Sequence, residues 1–336
     1  MRFIGVDLHT TQITVCALNH ELEPAVKTYQ LTELEKFVSQ LQPTDEIAVE
    51  ATGNTRWFVG QVKGRVKRVV IVNPRQFQVI RKSVKKTDKN DAVALARFLQ
   101  ANLLPEVREK SAENERIQSL NETRNKFVRL KTSLLNKIHA LGVSRGRKLK
   151  KSSLSSEKGL TRVLESEWTA GERIELEIVI EQIRWLKESI KKLDKAITQE
   201  SEKVSGFENL VSITGVGARS AGVLLSVIGD VNDFESADKL ASYFGIVPRV
   251  SNSNETVRTG RITKQGSKTG RTTLVQCVLS AIRGNEYLRK YYEQVKERRG
   301  HGKAKIAVAR KYLTLIYNTL KNNWVFEDFN NFVLAE

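Results

Sequence analysis

Seven apolar residues in the middle of the chain follow one another at alternating spacings of three and four positions. They are Leu176, Val179, Ile183, Leu186, Ile190, Leu193 and Ile197. Because an α-helix turns once in about 3.6 residues, this spacing places all seven on one side of a single long helix. No polar residue interrupts the series, so we expect another helix to cover that side.

A second long helix is predicted upstream from the same spacing. The segment 142–159 between the two helices is rich in Ser, Lys and Gly and is predicted to be a loop. Two arrangements are open: an antiparallel hairpin within one chain, or a dimerising coiled coil between two copies of the chain. The upstream series fits if Arg124 and Lys131 fill two positions among Ile117, Leu120, Phe127, Leu134, Ile138 and Leu141.

The first 105 residues alternate between two kinds of segment. The runs FIGVDL, ITVCALN, EIAVE and RVVIVN have the length and the residue types of β-strands. Residues 33–41, 55–62 and 91–101 have helical spacing. Strands that alternate with helices predict an α/β domain with a mixed or parallel sheet, followed in this chain by a mainly helical remainder.

Two glycines mark a predicted turn in residues 205–300. The segment LVSITGVGARSAGVLLSVIG places Gly215 and Gly217 between two apolar helices. This pattern is typical of a helix-hairpin-helix motif, in which turn amides and the next helix N-terminus bind a phosphate. The alternative is an ordinary glycine turn between core helices. Residues 301–336 begin basic, end rich in aromatic residues and are predicted to be a helical tail.

Four carboxylates near the N-terminus stand where an acid is costly unless a cation binds it. Asp7 and Glu50 close apolar strand-like runs, and Asp88 and Asp91 are three apart at the start of a predicted helix. Four such groups can hold two Mg²⁺ ions, an arrangement that serves phosphodiester chemistry. Taken singly, Asp88 is also explained as a helix cap and Asp91 as an acid favoured by the helix dipole.

The chain carries a formal net charge of +18, with 56 Lys and Arg residues against 38 Asp and Glu residues. Basic residues are concentrated at 63–89, 145–151 and 239–283, which predicts a polyanionic partner, with nucleic acid ahead of a membrane surface. No apolar run approaches the roughly 20 residues of a membrane span, and the N-terminus lacks a signal-peptide layout, so a cytoplasmic protein is expected. Cys16 and Cys277, flanked by apolar residues, are expected to be buried free thiols.

A second candidate site lies in residues 245–274, which read GIVPRVSNSNETVRTGRITKQGSKTGRTTL and are predicted to be a loop. A hydroxyl held among cations can attack a phosphodiester, because the cations hold the phosphate and stabilise the developing charge. Composition alone favours a simpler interpretation, a phosphate-binding loop with structural hydroxyls. The groups concerned are Ser251, Ser253 and Ser267 with Arg249, Arg258, Arg261, Lys264, Lys268 and Arg271.

Taken together, the two sites resemble those of the DEDD transposases of insertion sequences, whose relatives include a site-specific invertase of pilin genes. The resemblance covers nearly the whole chain and rests on several motifs in order. These are GVDLH, VEATGN, VNPRQ, KTDKNDAVALA, ITGVGARSAGVLLSVIGD, FESADKLASYFGIVPR and GRITKQGSK.

The resemblance implies a ribonuclease-H-like domain over residues 1–105, similar to Holliday-junction resolvases, with Asp7, Glu50, Asp88 and Asp91 as Mg²⁺ ligands. It implies a helical coiled-coil linker at 106–204, a transposase domain at 205–300 and a helical tail at 301–336. In the family a serine after the GxxPR element forms a covalent phosphoserine bond to DNA. We place this nucleophile at Ser253, with Ser251 as the alternative, since Asn254 stands where many relatives have glycine.

The resemblance also implies the partners. They are DNA, a structured RNA encoded by the element itself, and further copies of the chain in a homodimer or larger oligomer. Arg249, Arg258, Arg261 and Lys264 are expected to bind phosphates, and the setting is the nucleoid of a bacterium or archaeon. The alternative function is a metal-dependent nuclease similar to a junction resolvase, in which water attacks and no serine adduct forms.

Overall fold

A computed structural model describes residues 1–19, 21–74, 76–77, 87–108, 110–253 and 256–327. At residues 251–253, 256 and 257 it describes the backbone alone. The chain divides into two compact units, Met1–Glu109 and Lys110–Glu336. The finer division of the second unit into a linker, a transposase domain and a tail stays a prediction.

The N-terminal unit is built on a five-stranded mixed sheet with the order β3-β2-β1-β4-β5. Strand β1 is antiparallel to β2 and parallel to β4, and β5 continues the parallel half. The sequence had not indicated β3, an edge strand that opens on Pro24 and is largely exposed, because it lacks the apolar alternation of a covered strand. The strands are β1 Phe3–Leu8, β2 Gln12–Leu18, β3 Pro24–Gln30, β4 Glu46–Glu50 and β5 Arg68–Val72.

Helices cover both faces of this sheet. Helices α1 (Leu34–Val38) and α2 (Thr55–Val62) pack through Phe37 and Phe58 on the face that carries Val6 and Val49. Helix α3 (Asp88–Gln100) packs on the other face. The prediction for residues 55–62 is confirmed, and that for 33–41 is confirmed in part, since a 3-10 turn at Leu31–Glu33 precedes the short α1.

The second unit is mainly helical and contains one two-stranded sheet among its described residues. Its helices are α4 Ala112–Ser144, α5 Glu157–Leu164, α6 Ala170–Ser201, α7 Phe207–Val211, α8 Ala218–Ile228, α9 Ala237–Phe244, α10 Lys268–Gly284, α11 Glu286–Arg299 and α12 His301–Lys321. Its strands are β6 Pro248–Ser253 and β7 Thr256–Ile262.

The two long helices α4 and α6 form an antiparallel hairpin. Their ion pairs run in opposite directions along the two helices, from Arg116–Glu200 to Arg145–Glu172. The predicted apolar series is buried at five of its seven positions, Leu176, Ile183, Leu186, Ile190 and Ile197. Two arrangements were open from the sequence, and the structure shows the antiparallel hairpin within one chain. Pairing with a second copy stays a prediction.

Arg124 explains the first gap in the upstream apolar series. Its Nε donates to Asp194 Oδ1 at 2.8 Å, and Arg219 Nε lies 3.5 Å from the same oxygen. The pKa of Arg219 is below its usual value, first because burial disfavours its charge and then because Arg124 is close. An ion pair thus replaces an apolar contact where α4, α6 and α8 meet.

The predicted loop at 142–159 is wrong at both ends. Helix α4 continues to Ser144, and a 3-10 turn at Ser153–Ser155 leads directly into α5. The apolar residues Leu154 and Leu160 are buried against α4 and α6, so burial organises a segment whose composition favours a loop. Both cysteines are free and buried, as predicted. No described helix is long and apolar enough to cross a membrane.

Candidate active site

The parallel strands β1 and β4 place two of the predicted carboxylates side by side. Val6 pairs with Val49 in the parallel register, so Asp7 and Glu50 follow at adjacent positions. Side chains alternate along a strand, and Val6 and Val49 both belong to the core under α1 and α2. Asp7 and Glu50 therefore lie on the opposite face, toward α3.

Gly5 lets the backbone of α3 pack in direct contact with β1 on this face. A Cβ atom at Gly5 would lie 2.1 Å from the Ala92 carbonyl oxygen and 2.5 Å from the Ala96 amide nitrogen. The backbone of α3 thus rests directly on β1, two residues before Asp7. Because Asp88 and Asp91 lie in the first turn of the same helix, this contact brings them to the Asp7 end of the strand.

Replacing Gly5 by alanine should therefore destabilise the fold by about 1–3 kcal/mol, the usual cost of inserting a methyl group into a filled interior. Chemical denaturation of the full chain measures this loss. The matched control is Gly60→Ala, because a Cβ at this position in α2 meets nothing within 4 Å and alanine favours a helix by about 0.5–1 kcal/mol. Equal stability of the two variants would contradict the packing argument.

The first turn of α3 is capped by Thr87, whose hydroxyl accepts a hydrogen bond from the Asn90 amide at 3.2 Å. The interpretation of Asp88 as the helix cap is therefore wrong. Asp88 is 46% exposed and is available to a ligand. Asp91 is buried to 8% exposure in the first turn, where the helix dipole favours a negative charge.

His9 lies next to Asp7 and Asp88 and is not among the predicted ligands. Its Nε2 lies 3.1 Å from Asp7 Oδ2 and 3.4 Å from Asp88 Oδ1. One ligand atom from each of these three residues lies within 4.8 Å of the others, and the described residues form no further group of this kind. Glu50 and Asp91 do not join the group at that distance. The available signal was the spacing of Asp7 and His9, two positions apart at the end of β1.

The donor set fits a divalent cation. Ligands about 2.0–2.1 Å from an octahedral ion lie roughly 3 Å apart when adjacent. The two distances from His9 Nε2, 3.1 Å to Asp7 and 3.4 Å to Asp88, are close to this value, and all three ligand atoms lie within 4.8 Å of one another. Asp7, His9 and Asp88 would hold the ion, with Glu50 on the adjoining strand end and Asp91 one helical turn along α3.

The serine-bearing segment is a β-hairpin and not the predicted loop. Ser251 pairs with Arg258, and Ser253, the last residue of β6, pairs with Thr256, the first residue of β7. Asn254 and Glu255 lie outside the described residues. Antiparallel pairing forms hydrogen bonds between backbone groups whatever the side chains are. A sequence rich in Ser, Asn and Thr can therefore form strands here, although it lacks the apolar alternation from which strands are usually predicted.

The base of this hairpin is fixed by backbone contacts. Lys264 donates its amide to the Gly245 carbonyl at 3.0 Å, and Thr263 donates to Val247 at 2.9 Å. Gly245 and Gly266 both have positive φ, and a Cβ on either would lie within about 2 Å of a backbone oxygen. The chain therefore crosses itself here at a distance that only glycine permits.

Four predicted phosphate-binding residues, Arg249, Arg258, Arg261 and Lys264, are exposed on the hairpin or at its base. None of the four makes an ion pair with a carboxylate among the described residues. Arg271 differs, because its guanidinium donates to the Phe244 and Gly266 carbonyls and burial lowers its pKa. Arg271 thus stabilises the base.

The two glycines of the predicted phosphate-binding turn have different surroundings. Gly215 has φ +96°, and a Cβ there would lie 2.7 Å from the Cys277 carbonyl oxygen of α10. Gly217 precedes α8, caps it without a side chain and has open space around it. Gly215 therefore serves packing, while Gly217 leaves the N-terminus of α8 accessible. A helix-hairpin-helix role stays a prediction.

Family models match both units. A model described as a DEDD transposase of the IS110 type matches residues 4–141, and one described as the transposase IS116/IS110/IS902 family matches residues 207–293. The first contains all four predicted carboxylates and the second contains the serine hairpin. The protein is a DNA transposase. It belongs to the IS110 family of insertion-sequence transposases.

Similar proteins extend over almost the whole chain. The transposase for insertion sequence element IS1111A of Coxiella burnetii is 24% identical, over 95% of this chain and 90% of its own length. The pilin gene-inverting protein of Moraxella lacunata is 26% identical, over 97% of both chains. A probable family 20 transposase of Pseudomonas aeruginosa is 24% identical, over 83% of this chain and 84% of its own.

Proposed function

We propose that the protein cleaves and rejoins DNA strands at the ends of an insertion sequence through a covalent phosphoserine intermediate. The observation that carries this is the β6–β7 hairpin. Its base is fixed by backbone bonds, its cations have no carboxylate partners among the described residues, and Ser253 is the last residue of its first strand. A nuclease that uses water as its nucleophile needs carboxylates but no such hydroxyl-bearing element.

In the proposed reaction, the Ser253 hydroxyl attacks a phosphorus atom of the DNA backbone. A serine–phosphate bond forms, the bond to the 3′ oxygen breaks, and that oxygen leaves as a free 3′ hydroxyl after accepting the proton of the serine. In the second half a 3′ hydroxyl of another strand attacks the phosphoserine, and the serine recovers its proton. One phosphoester replaces another at each step, so no nucleotide cofactor is consumed.

The carboxylates and the cations have separate tasks. Bound Mg²⁺ would supply positive charge at the scissile phosphate. Asp7, Glu50, Asp88 and Asp91 would hold this ion, since β1, β4 and α3, which carry them, are in contact at Gly5. The four exposed cations of the hairpin neutralise non-bridging phosphate oxygens and stabilise the charge that develops during attack.

The proposal includes a guide RNA and a second copy of the chain. The net charge of +18 suits a protein that holds nucleic-acid backbones while base pairing supplies the sequence. The α4–α6 hairpin also exposes large apolar side chains that a second copy would cover, namely Leu130, Ile174, Ile178 and Trp185. These features support both partners, and the RNA itself comes from the family resemblance.

One experiment distinguishes the proposal from the nuclease alternative. The full chain is incubated with Mg²⁺, RNA transcribed from the flanks of its gene and labelled DNA of the element junction, and then denatured. We expect label to migrate with the protein and to be released as a 5′-phosphorylated strand after protease and alkali treatment. Hydrolysed ends with no protein-bound label would support the nuclease instead.

A further inference from the structure

His9 is held in place at the end of β1 by neighbours on both sides. Its amide donates to the Gln12 carbonyl at 3.0 Å, which closes the turn between β1 and β2. Its carbonyl accepts a hydrogen bond from Asn54 Nδ2 at 2.8 Å, just before helix α2. The backbone of His9 is thus tied to two elements of the unit, although its side chain is 48% exposed.

The imidazole meets two carboxylates through a single nitrogen. Asp7 Oδ2 and Asp88 Oδ1 lie 3.1 and 3.4 Å from Nε2, and one N–H can point at only one of them. Gln12 Nε2 donates to the other oxygen of Asp88 at 3.3 Å, which orients that carboxylate. Asp7 and His9 at the end of β1 and Asp88 at the start of α3 thus bring three lone-pair donors close together. One cation can interact with all three, whereas one proton can be shared by only two.

We infer that His9 is a metal ligand together with Asp7 and Asp88, and that it makes the centre favour Mn²⁺ over Mg²⁺. Carboxylates alone suit Mg²⁺, whereas an imidazole nitrogen raises the affinity for transition metals. The neutral ring would bind through Nε2 and leave its proton on Nδ1. The inference rests on the metal-binding role proposed for Asp7 and Asp88 and adds a nitrogen ligand to it.

The test uses the full-length protein and Mn²⁺ as the only added metal. Pulsed electron paramagnetic resonance detects a nitrogen nucleus bonded to Mn²⁺, and we expect this coupling in the unaltered protein. It should disappear in His9→Ala and persist in His139→Ala, which removes another of the four histidines from a different unit. Labelling with ¹⁵N-histidine should change the coupling and so assign it to imidazole.

Metal affinity gives a second measurement that does not depend on catalysis. Loss of His9 should weaken Mn²⁺ binding at least about tenfold, as loss of even an outer partner of a ligand does, and should weaken Mg²⁺ binding less. His9→Asp, which restores an oxygen ligand, should recover Mg²⁺ binding without the nitrogen coupling. Circular dichroism of each variant verifies that the fold is retained.

Several outcomes would overturn the inference. They are Mn²⁺ bound without nitrogen coupling, coupling that persists in His9→Ala, equal Mn²⁺ affinity with and without His9, and no Mn²⁺ binding at all. Asp7→Asn separates this failure from that of the proposed function. If Asp7→Asn loses Mn²⁺ while His9→Ala keeps it, only the histidine is wrong. If neither change affects binding or strand cleavage, the carboxylate centre itself is refuted.

Discussion

Replacing Ser253 by alanine is expected to abolish the covalent protein–DNA adduct. The hydroxyl is the only group that the substitution removes, and loss of a nucleophile lowers a covalent reaction by about a thousandfold or more. The measurement is the label retained by the denatured protein after incubation with Mg²⁺, RNA and junction DNA. DNA binding before cleavage should be unchanged, because the exposed cations Arg249, Arg258 and Arg261 remain.

Ser251→Ala is the matched control for this prediction. Ser251 lies two residues before Ser253 in β6 and pairs with Arg258, whereas Ser253 pairs with Thr256. Both variants remove one hydroxyl from the same strand, so a general weakening of the hairpin would affect them alike. Adducts that persist in Ser253→Ala and vanish in Ser251→Ala would identify Ser251 as the nucleophile. Adducts in both variants would show that neither serine is the sole nucleophile and would contradict the prediction.

Replacing Asp7 by asparagine is expected to lower strand cleavage by roughly a thousandfold. The substitution keeps the shape of the side chain but removes one charge from the group formed with His9 and Asp88. Charge stabilisation by a bound metal contributes several kcal/mol to a transition state, and each 1.36 kcal/mol is about a factor of ten in rate. Cleavage is followed by gel electrophoresis of the DNA under single-turnover conditions.

The free energy of unfolding should not decrease in Asp7→Asn, although cleavage does. In the absence of metal, Asp7→Asn removes a charge that faces another carboxylate, Asp88, on the same histidine, so stability should be unchanged or higher. Asp238→Asn is the control for the chemical change itself, since Asp238 is an exposed partner of Arg310 on the second unit. Cleavage that survives Asp7→Asn with an intact fold would refute the carboxylate centre.

Four of the five strands of the N-terminal unit can be predicted from the sequence, and four acids can be selected as candidate ligands, because both are short-range signals. An apolar run such as EIAVE forms a covered strand in almost any context, and an acid at its end draws attention because burial would be costly. The long helix α6 was equally readable, since its apolar spacing requires only that one side be covered. Local sequence is therefore enough to select Asp7, Glu50, Asp88 and Asp91 as candidates, without the tertiary fold.

The remaining features depend on contacts between distant parts of the chain. His9 lies at an exposed position, and its spacing from Asp7 gains significance only through the approach of Asp88, which is 79 residues further along the chain. The hairpin at 248–262 has no apolar alternation, so its pairing could not be inferred from pattern. The α4–α6 arrangement was undetermined because the same apolar side suits a partner in this chain or in another.

Because the base of the β6–β7 hairpin is fixed, the length of the hairpin determines how far Ser253 lies from that base. From the bonds at Gly245 and Val247, each paired position carries the chain about 3.4 Å further. Removing one cross-strand pair would draw the Ser253 position back by that amount, which equals the whole separation of reacting atoms in a productive complex. With Ser253 as the proposed nucleophile, we expect activity to depend on the number of residues between Gly245 and Ser253. Variants in this segment should tolerate altered composition better than altered length.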